Sequence, residues 1–187
     1  GARADLAGSA GMRSATGAAL AMAGLTPHDV DVFDLYSCFG SAVQFAMDAL
    51  GLEPDDPRPI SLTGGLPYHG GPSSNYMSHS ISHLVDHLRT NGGTGLVTGV
   101  GMHMTKHVAG VWSTEPGALS AGHGGDEPQQ WEAAPVEPDV VVVASGDGPA
   151  NVLAATVVHH GDGTPSHVVA ICELADGARC YATSQDG

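Results

Sequence analysis

Positive charge is the scarcest property of this sequence. Only 6 lysines and arginines oppose 20 aspartates and glutamates, which gives a net charge of −14, and Lys106 is the only lysine. A chain with so few positive side chains binds a phosphate backbone or an anionic membrane poorly. We therefore expect no nucleic-acid partner. No apolar run approaches the roughly 18 residues of a membrane helix, and the first residues lack the order of a signal peptide. We therefore expect no membrane insertion and a cytoplasmic location.

Cysteines and aromatic residues are also scarce, whereas glycine is abundant. The 3 cysteines, Cys38, Cys172 and Cys180, are too few and too scattered for a disulfide framework. The sequence has no Cys-x-x-Cys pair, so a structural zinc site is disfavoured. Aromatic residues make up 5% of the chain, and glycine accounts for 27 of its 187 residues. This composition favours an α/β protein with tight turns and close backbone packing.

The apolar pattern divides the chain into three regions. Residues 1–115 alternate between helix signals and strand signals. The helices are predicted at about 11–24, 41–50 and 73–89, and the strands at 30–35, from residue 60, at 95–101 and at 107–112. Such alternation predicts an α/β domain with a mixed, mainly parallel sheet and helices on both faces.

The remaining two regions differ from the first in composition. Residues 116–137 are acidic, aperiodic and rich in proline and glycine, which predicts a linker. Residues 138–187 contain only strand signals, at 139–145, 151–159, 167–174 and 178–182. They predict a small antiparallel β module of four strands at most.

Three segments contain candidate chemistry. In DVDVFDLYSCFGSAVQ (29–44), a strand ends in Tyr-Ser-Cys-Phe before a helix, and open α/β sheets bind ligands at such strand ends. In TGGLPYHGGPSSNYMSHS (63–80), a Gly/Pro loop leads into a helix, although a plain helix-capping turn explains this pattern as well. In GLVTGVGMHMTKH (95–107), a strand ends in small residues and is followed by His103, Lys106 and His107.

In this order and spacing, the three segments resemble the C-terminal half of the thiolase superfamily over about residues 5–115. They are most similar to sterol-carrier-type thiolases and to thiolase-like proteins of the acetyl-CoA acetyltransferase type. The resemblance implies an incomplete thiolase-like domain, followed by a module like part of an OB barrel. It also implies a coenzyme A thioester as the substrate and no bound cofactor.

The matched loops depart from the family pattern. Classical thiolases use the loops Asn-Glu-Ala-Phe (or His-Asp-Cys-Phe), Gly-His-Pro and Cys-x-Gly. Here these are residues 36–39, 70–72 and 99–101, with Gly71 in place of the histidine and Gly99 in place of the cysteine. Glycine cannot move a proton, so the thiolase mechanism does not carry over. The resemblance implies that substrate is bound by Ser37, Cys38, Gly70, Gly71, Pro72, Asn75, Gly99, Gly101 and His107.

Tyr36, His69 and His79 are the candidates to replace the lost catalytic groups. Tyr36 stands where the family has Asn or His, and a phenol can act as a general acid if its pKa is lowered. His69 precedes Gly71 on the same loop, and His79 lies in the following helix. The structural alternatives are a hydrogen-bonded loop tyrosine and surface histidines. Cys38 is a weaker nucleophile candidate because free cysteines are usually buried and inert.

His79, His83 and His87 share one helix face at a spacing of four, which is a metal-binding pattern. No nearby cysteine or glutamate completes a site, so an interface or a solvated surface is favoured and we expect no metal. Nothing around Lys106 in the sequence supports a Schiff-base role. We expect this lysine to lie on the surface.

Three functions remain open. The first is an acyltransferase of the acetyl-CoA acetyltransferase type, acting in lipid and acyl-CoA metabolism. The second is a retro-aldol lyase that acts on acyl-CoA side chains with Tyr36 as acid or base. The third is a non-catalytic acyl-CoA-binding or scaffolding protein. Half a thiolase exposes a large apolar face, so we expect an oligomer completed by the missing N-terminal half or by another protein chain.

Overall fold

The computed structural model describes residues 2–102, 104–116 and 140–184. These residues form two compact units, one with residues 8–116 and the other with residues 2–7 and 140–184. Almost all of the predicted linker, and His103, lie outside the described residues. None of the described helices combines the length and hydropathy needed to cross a bilayer.

Three of the four described α-helices of the first unit begin and end close to their predicted bounds, and the short third one falls in a segment that was predicted as a loop. These four are α1 (Ala10–Ala23), α2 (Gly40–Leu50), α3 (Leu66–His69) and α4 (Tyr76–Asn91), with 3-10 turns at Pro27–Asp29 and Ser73–Asn75. The Ser9 side chain accepts a hydrogen bond from the Met12 amide and caps α1. Gly24 and Gly51 end α1 and α2 in the left-handed conformation, each with φ of 68°.

The sheet of this unit has three strands in the order β1 (Val32–Asp34), β2 (Thr94–Gly101) and β3 (Lys106–Ser113). β1 runs parallel to β2, and β2 runs antiparallel to β3. The expectation of a mainly parallel sheet was therefore wrong for the described strands, because the short β2–β3 connection reverses the chain. The segment predicted as a strand from residue 60 forms none. It still runs beside β1: the carbonyls of Ile60 and of the preceding Pro59 accept hydrogen bonds from the backbone amides of Leu35 and Phe33.

The two faces of the sheet are covered by different helices. Phe33 and Leu96 pack on one face with residues of α1 and α2, including Leu20 and Ala46. On the other face, β1 and β2 pack against α4 through a cluster of Val32, Val97, Leu84 and Leu88. Successive side chains of a strand point to opposite faces of the sheet. The apolar residues of β1 and β2 therefore contribute to the hydrophobic cluster on each face. A mixed sheet with helices on both faces was predicted, and it is confirmed.

The second unit contains the antiparallel sheet β4 (Ala150–His159), β5 (Pro165–Leu174) and β6 (Arg179–Ser184), in that order. The segment predicted as a strand at 139–145 forms only an isolated bridge between Val142 and Arg179 among its described residues. The Arg179 guanidinium donates to the backbone carbonyls of Arg3 and Ala4, which ties the N-terminal segment to this sheet. The likeness to part of an OB barrel stays a prediction.

Candidate functional site

The three segments singled out in the sequence meet around one cleft of about 500 Å³. It lies at the C-terminal end of β2. Its lining comes from the loop after β1, from the turn that leads into α4, and from the β2–β3 connection with the start of β3. Among the predicted binding residues, the cleft is lined by Cys38, Gly99, Gly101 and His107, whereas Ser37, Gly70, Gly71, Pro72 and Asn75 are not part of the lining.

Tyr36 forms part of the cleft wall, where it is half-buried. Its backbone N–H donates to Thr98 Oγ1 at 2.9 Å, which fixes the loop against β2. Its ring meets the Tyr76 ring edge-on, with 5.5 Å between centroids. Burial raises the pKa of the Tyr36 phenol, with smaller contributions from the Cys38 and Tyr76 charges. The phenol therefore keeps its proton at neutral pH and is suited to donate a hydrogen bond.

Ser37 links two of the loops rather than lining the cleft. Its Oγ accepts a hydrogen bond from the Leu66 amide at 3.0 Å, at the start of α3. Gly65 lies against this contact with φ of 89°, and a Cβ there would approach Ser37 Oγ to 2.9 Å. Glycine at this position satisfies both the left-handed backbone and the close approach. Ser37 thereby holds the loop after β1 against the Gly/Pro loop.

Asp34 is a buried carboxylate that accepts several hydrogen bonds, and it was not among the residues predicted from the sequence. It is 1% exposed, and its Oδ2 accepts from the Leu62 amide at 2.8 Å and from the Thr63 amide at 2.9 Å. Its Oδ1 accepts from Ser80 Oγ of α4 at 2.7 Å. A buried carboxylate is stable only when donors surround it in this way. In the sequence, Asp34 is only a charged residue at the end of an apolar strand, and its donors come from segments far along the chain.

Thr63 extends this network to the cleft wall. Its hydroxyl donates to Asp34 Oδ2 at 3.0 Å and also lies 2.6 Å from the Tyr76 hydroxyl. Because the Thr63 hydrogen is used on Asp34, the Tyr76 hydroxyl is the donor in the second contact. Tyr76 is 1% exposed, and its ring is held in place behind Tyr36. The network therefore fixes the ring that supports the phenol in the cleft.

The two glycines that replace the family's catalytic residues differ in their surroundings. A Cβ at Gly99 would lie 2.2 Å from Met77 Sδ and 2.9 Å from Val108 Cγ1, so Met77 already fills the space of a side chain there. A Cβ at Gly71 would meet only Leu66 Cδ2, at an ordinary 3.7 Å. A side chain at position 99 would therefore force Met77 and Val108 to move, whereas position 71 has room for a side chain.

His69 and His79 are brought together, but neither is part of the cleft lining. Their Nε2 and Nδ1 atoms lie 3.3 Å apart, and the His83 ring lies 4.9 Å from that of His69 between centroids. The third histidine of the helix face, His87, contacts Asn91 instead. Across the described ranges, no group of three histidine, cysteine or acidic side chains is placed to hold a metal ion.

His107 and Lys106 reach the cleft from the start of β3. His107 Nε2 lies 3.0 Å from the Met104 carbonyl, and since a carbonyl only accepts, this nitrogen carries the proton. Gly11 of α1 leaves room for the His107 ring, because a Cβ there would lie 2.6 Å from it. Lys106 is exposed and brings a positive charge to the lining.

Backbone strain is concentrated around the same cleft. Three non-glycine residues of the described chain have positive φ, namely Ser73 at 53°, Met102 at 55° and Met104 at 59°. Ser73 and Met102 line the cleft, and Met104 supplies the carbonyl that contacts His107. Such conformations cost energy and are enriched at functional sites. The strain supports the cleft as the site of function.

The fold and the cleft define an α/β protein with a ligand-sized site at the ends of its strands. Among solved structures, the chain is 37% identical to a monomeric SCP2-thiolase like protein type 1 from Mycobacterium smegmatis. The match covers 99% of this chain and 40% of that chain, with a TM-score of 0.82. The chain therefore has a thiolase-like fold, as its three motifs predicted, and it spans less than half the length of this relative.

The other comparisons add little. The peroxisomal 3-ketoacyl-CoA thiolase of Saccharomyces cerevisiae is 19% identical over 55% of this chain and 28% of that chain, with a TM-score of 0.44. This likeness is too distant to carry an argument. No protein-family model matches the sequence, and no curated protein matches it.

Proposed function

We propose that the cleft binds the acyl part of a coenzyme A thioester, and that this chain forms one wall of an acyl-CoA site in a thiolase-like protein. The observation that carries the proposal is the meeting of the three thiolase-like segments around one cleft. Its volume of about 500 Å³ is within the usual range for small-molecule sites. The likeness to an SCP2-thiolase like protein supports the same ligand class.

Within this proposal, the chain binds and polarises the acyl group but does not itself perform thiolysis. Glycine at 71 and 99 can neither activate a nucleophile nor return a proton. The Met77 thioether that fills the space at Gly99 has no proton to give. An acyltransferase reaction would therefore need its nucleophile and base from elsewhere in the protein. In this chain, the protonated Tyr36 phenol is the group suited to donate a hydrogen bond to an acyl oxygen.

The position of Tyr36 in the cleft favours a retro-aldol lyase as the second candidate. Such cleavage removes the proton of a 3-hydroxyl group, breaks the adjacent carbon–carbon bond and leaves an enolate of the thioester. The raised pKa of Tyr36 is the opposite of the lowered pKa that a general acid needs: the phenol stays protonated, is not available as the base and is a weaker acid. Tyr36 would therefore stabilise the enolate by donating a hydrogen bond to it. The base that takes the hydroxyl proton would be a different group.

Calorimetric titration tests the binding proposal. The ligands are acetyl-CoA, a longer acyl-CoA and free CoA, and the proteins are the unmodified chain, Tyr36→Phe and Tyr68→Phe. Tyr68 is 88% exposed and is not part of the lining, so it is the matched control. We expect Tyr36→Phe to weaken acyl-CoA binding about tenfold, the equivalent of one hydrogen bond, and Tyr68→Phe to leave it unchanged. Absence of heat at millimolar acyl-CoA would reject the proposal.

A 3-hydroxyacyl-CoA incubated with the protein tests the second candidate. Appearance of a shortened acyl-CoA and a carbonyl product, at a rate at least tenfold lower in Tyr36→Phe, would support the lyase. Cleavage that continues at full rate in Tyr36→Phe would remove Tyr36 from the mechanism.

A further inference from the structure

Two cysteines that are distant from the cleft in sequence lie opposite each other in the second unit. Cys172 of β5 pairs in register with Cys180 of β6. Both thiols are free, and they belong to one buried cluster in which Cys172 is 6% and Cys180 is 7% exposed. Directly opposite residues of antiparallel strands project from the same face of the sheet. The two thiols are therefore neighbours, although seven residues separate them in the sequence.

The position of the pair in the ladder sets its geometry. The Leu174 amide donates to the Ala178 carbonyl at 2.8 Å, so these opposite residues form a hydrogen-bonded pair. Such pairs alternate with non-bonded ones, which makes Cys172 and Cys180, two steps further on, hydrogen-bonded as well. The Cα atoms of such a pair are about 5.5 Å apart, a separation that disulfides commonly span.

Closing a bond at this position introduces strain. Opposite Cβ atoms in a hydrogen-bonded pair lie about 5.5 Å apart, and a disulfide needs them roughly 1–2 Å closer. Strained disulfides are easily reduced and are characteristic of labile or regulatory bonds rather than of permanent cross-links. The register therefore favours a bond that forms and breaks with redox conditions.

We propose that Cys172 and Cys180 form a reversible disulfide, with a low-molecular-weight disulfide such as oxidised glutathione as the oxidant. One cysteine thiolate attacks a sulfur of the oxidant, which makes a mixed disulfide and releases one glutathione thiolate. The other cysteine thiolate attacks the protein sulfur of that mixed disulfide and releases the second glutathione. The two protein thiols lose two protons and two electrons, and the oxidant becomes two thiols. This site does not depend on the proposed function of the cleft.

Access to the pair is from the β4 side of the sheet. Burial slows the formation of reactive thiolates. However, all 10 residues of β4 are exposed, and Val152, the β4 partner of Cys172, is 63% exposed. The β4–β5 ladder also has a register shift beside this pair, between Val152 and Ala154. Strands with little cover open locally more often than core strands, so the oxidant reaches Cys172 when β4 opens.

Intact-mass measurement of the protein after incubation with oxidised glutathione tests the proposal. Variants are Cys172→Ser, Cys180→Ser and, as the matched control, Cys38→Ser, whose cysteine lies in the other unit. We expect the unmodified chain and Cys38→Ser to lose two hydrogens and to regain them with a reducing agent. We expect Cys172→Ser and Cys180→Ser to stop at a glutathione adduct or at no reaction.

A second measurement needs no substitution in the buried cluster, where serine can prevent folding. Differential alkylation of the unmodified chain, followed by peptide mapping, identifies which thiols become protected. Protection of Cys172 and Cys180 in one linked peptide pair supports the proposal. Full alkylation of both cysteines after oxidation, or an adduct confined to Cys38, overturns it.

Discussion

The Met77 sulfur lies over Gly99, so close that a Cβ at position 99 would be 2.2 Å from it. The thiolase-like resemblance places a cysteine at position 99, and the structure shows α4 supplying the side chain that fills this space instead. The pair explains why glycine occurs here without any appeal to turn geometry, since Gly99 is a strand residue. The effect of a substitution at Gly99 therefore depends on the size of the side chain at position 77.

This coupling predicts a double-mutant cycle. Gly99→Ala alone should lower the free energy of unfolding by roughly 1–3 kcal/mol, because the added carbon overlaps Met77. In a Met77→Ala background, the same substitution should cost clearly less. Gly71→Ala is the control, and it should change stability by no more than about 0.5 kcal/mol, because its Cβ meets only an ordinary contact. Urea denaturation measures all four variants. Equal costs of Gly99→Ala in both backgrounds would show that Met77 is not the obstacle.

The Asp34 network should dominate the stability of the loops around the cleft. Asp34→Asn should lower the free energy of unfolding by roughly 2–3 kcal/mol, because an amide nitrogen would face donors that now point at a carboxylate. Tyr76→Phe should cost about 1 kcal/mol, since it removes a single hydrogen bond to Thr63. Asp48→Asn, at an exposed aspartate of α2, is the matched control. Thermal and urea unfolding should rank Asp34→Asn as the most damaging of the three, and any other order would contradict this assignment.

The raised pKa of Tyr36 predicts a loss of stability at alkaline pH. Its folded-state pKa lies above the unfolded value, so the unfolded chain ionises first as the pH rises. The stability associated with the neutral phenol is complete below the ordinary tyrosine pKa and is lost as the pH rises through the folded-state value. Unfolding measured between neutral and strongly alkaline pH should therefore show a smaller decline for Tyr36→Phe than for the unmodified chain. Identical declines in the two proteins would show that Tyr36 is not the titrating group.

The lowered pKa of Asp56 predicts that the fold loses stability at acidic pH. Hydrogen bonds from Arg58 hold the pKa of this carboxyl at about 2. Because the folded-state pKa lies below the unfolded one, its contribution is present at neutral pH and is lost as the pH falls from about 4 towards 2. Arg58 also donates to the Pro27 and Val30 carbonyls, so the pair secures the loop beside β1. Asp56→Asn should lose less stability than the unmodified chain over this acidic range in urea titrations. If the free energy of unfolding fell equally with pH in both proteins, the Asp56–Arg58 ion pair would not stabilise the fold.

The elements that the sequence predicted well are those with local signals. The helices that become α1 and α2 have regular apolar spacing and end at Gly24 and Gly51, so both their type and their ends were correct. The direction of β3 has no such local signal, because it depends on how the chain turns after Gly101. The same limit applies to the pairing of Cys172 with Cys180, since strand register is set by packing rather than by sequence separation.

For the site, the sequence predicted the segments but not the roles of their residues. Tyr36 and His107 do line the cleft, whereas Ser37 is used to join two loops. Asp34 could not be recognised, because a carboxylate at the end of a strand looks the same whether it faces solvent or a ring of donors. Met77 lies within the helix predicted at about 73–89, and only the structure shows that its side chain occupies the space at Gly99.

Binding of the acyl part of a CoA thioester in this cleft is tested most directly by mapping backbone amide shifts during a titration with acetyl-CoA. We predict saturable shifts concentrated at residues 36–39, 73–77 and 99–102, and weaker ones with free CoA. Tyr68→Phe should leave this pattern intact, and Tyr36→Phe should reduce its affinity. Shifts confined to other parts of the chain, or none at millimolar ligand, would contradict the claim.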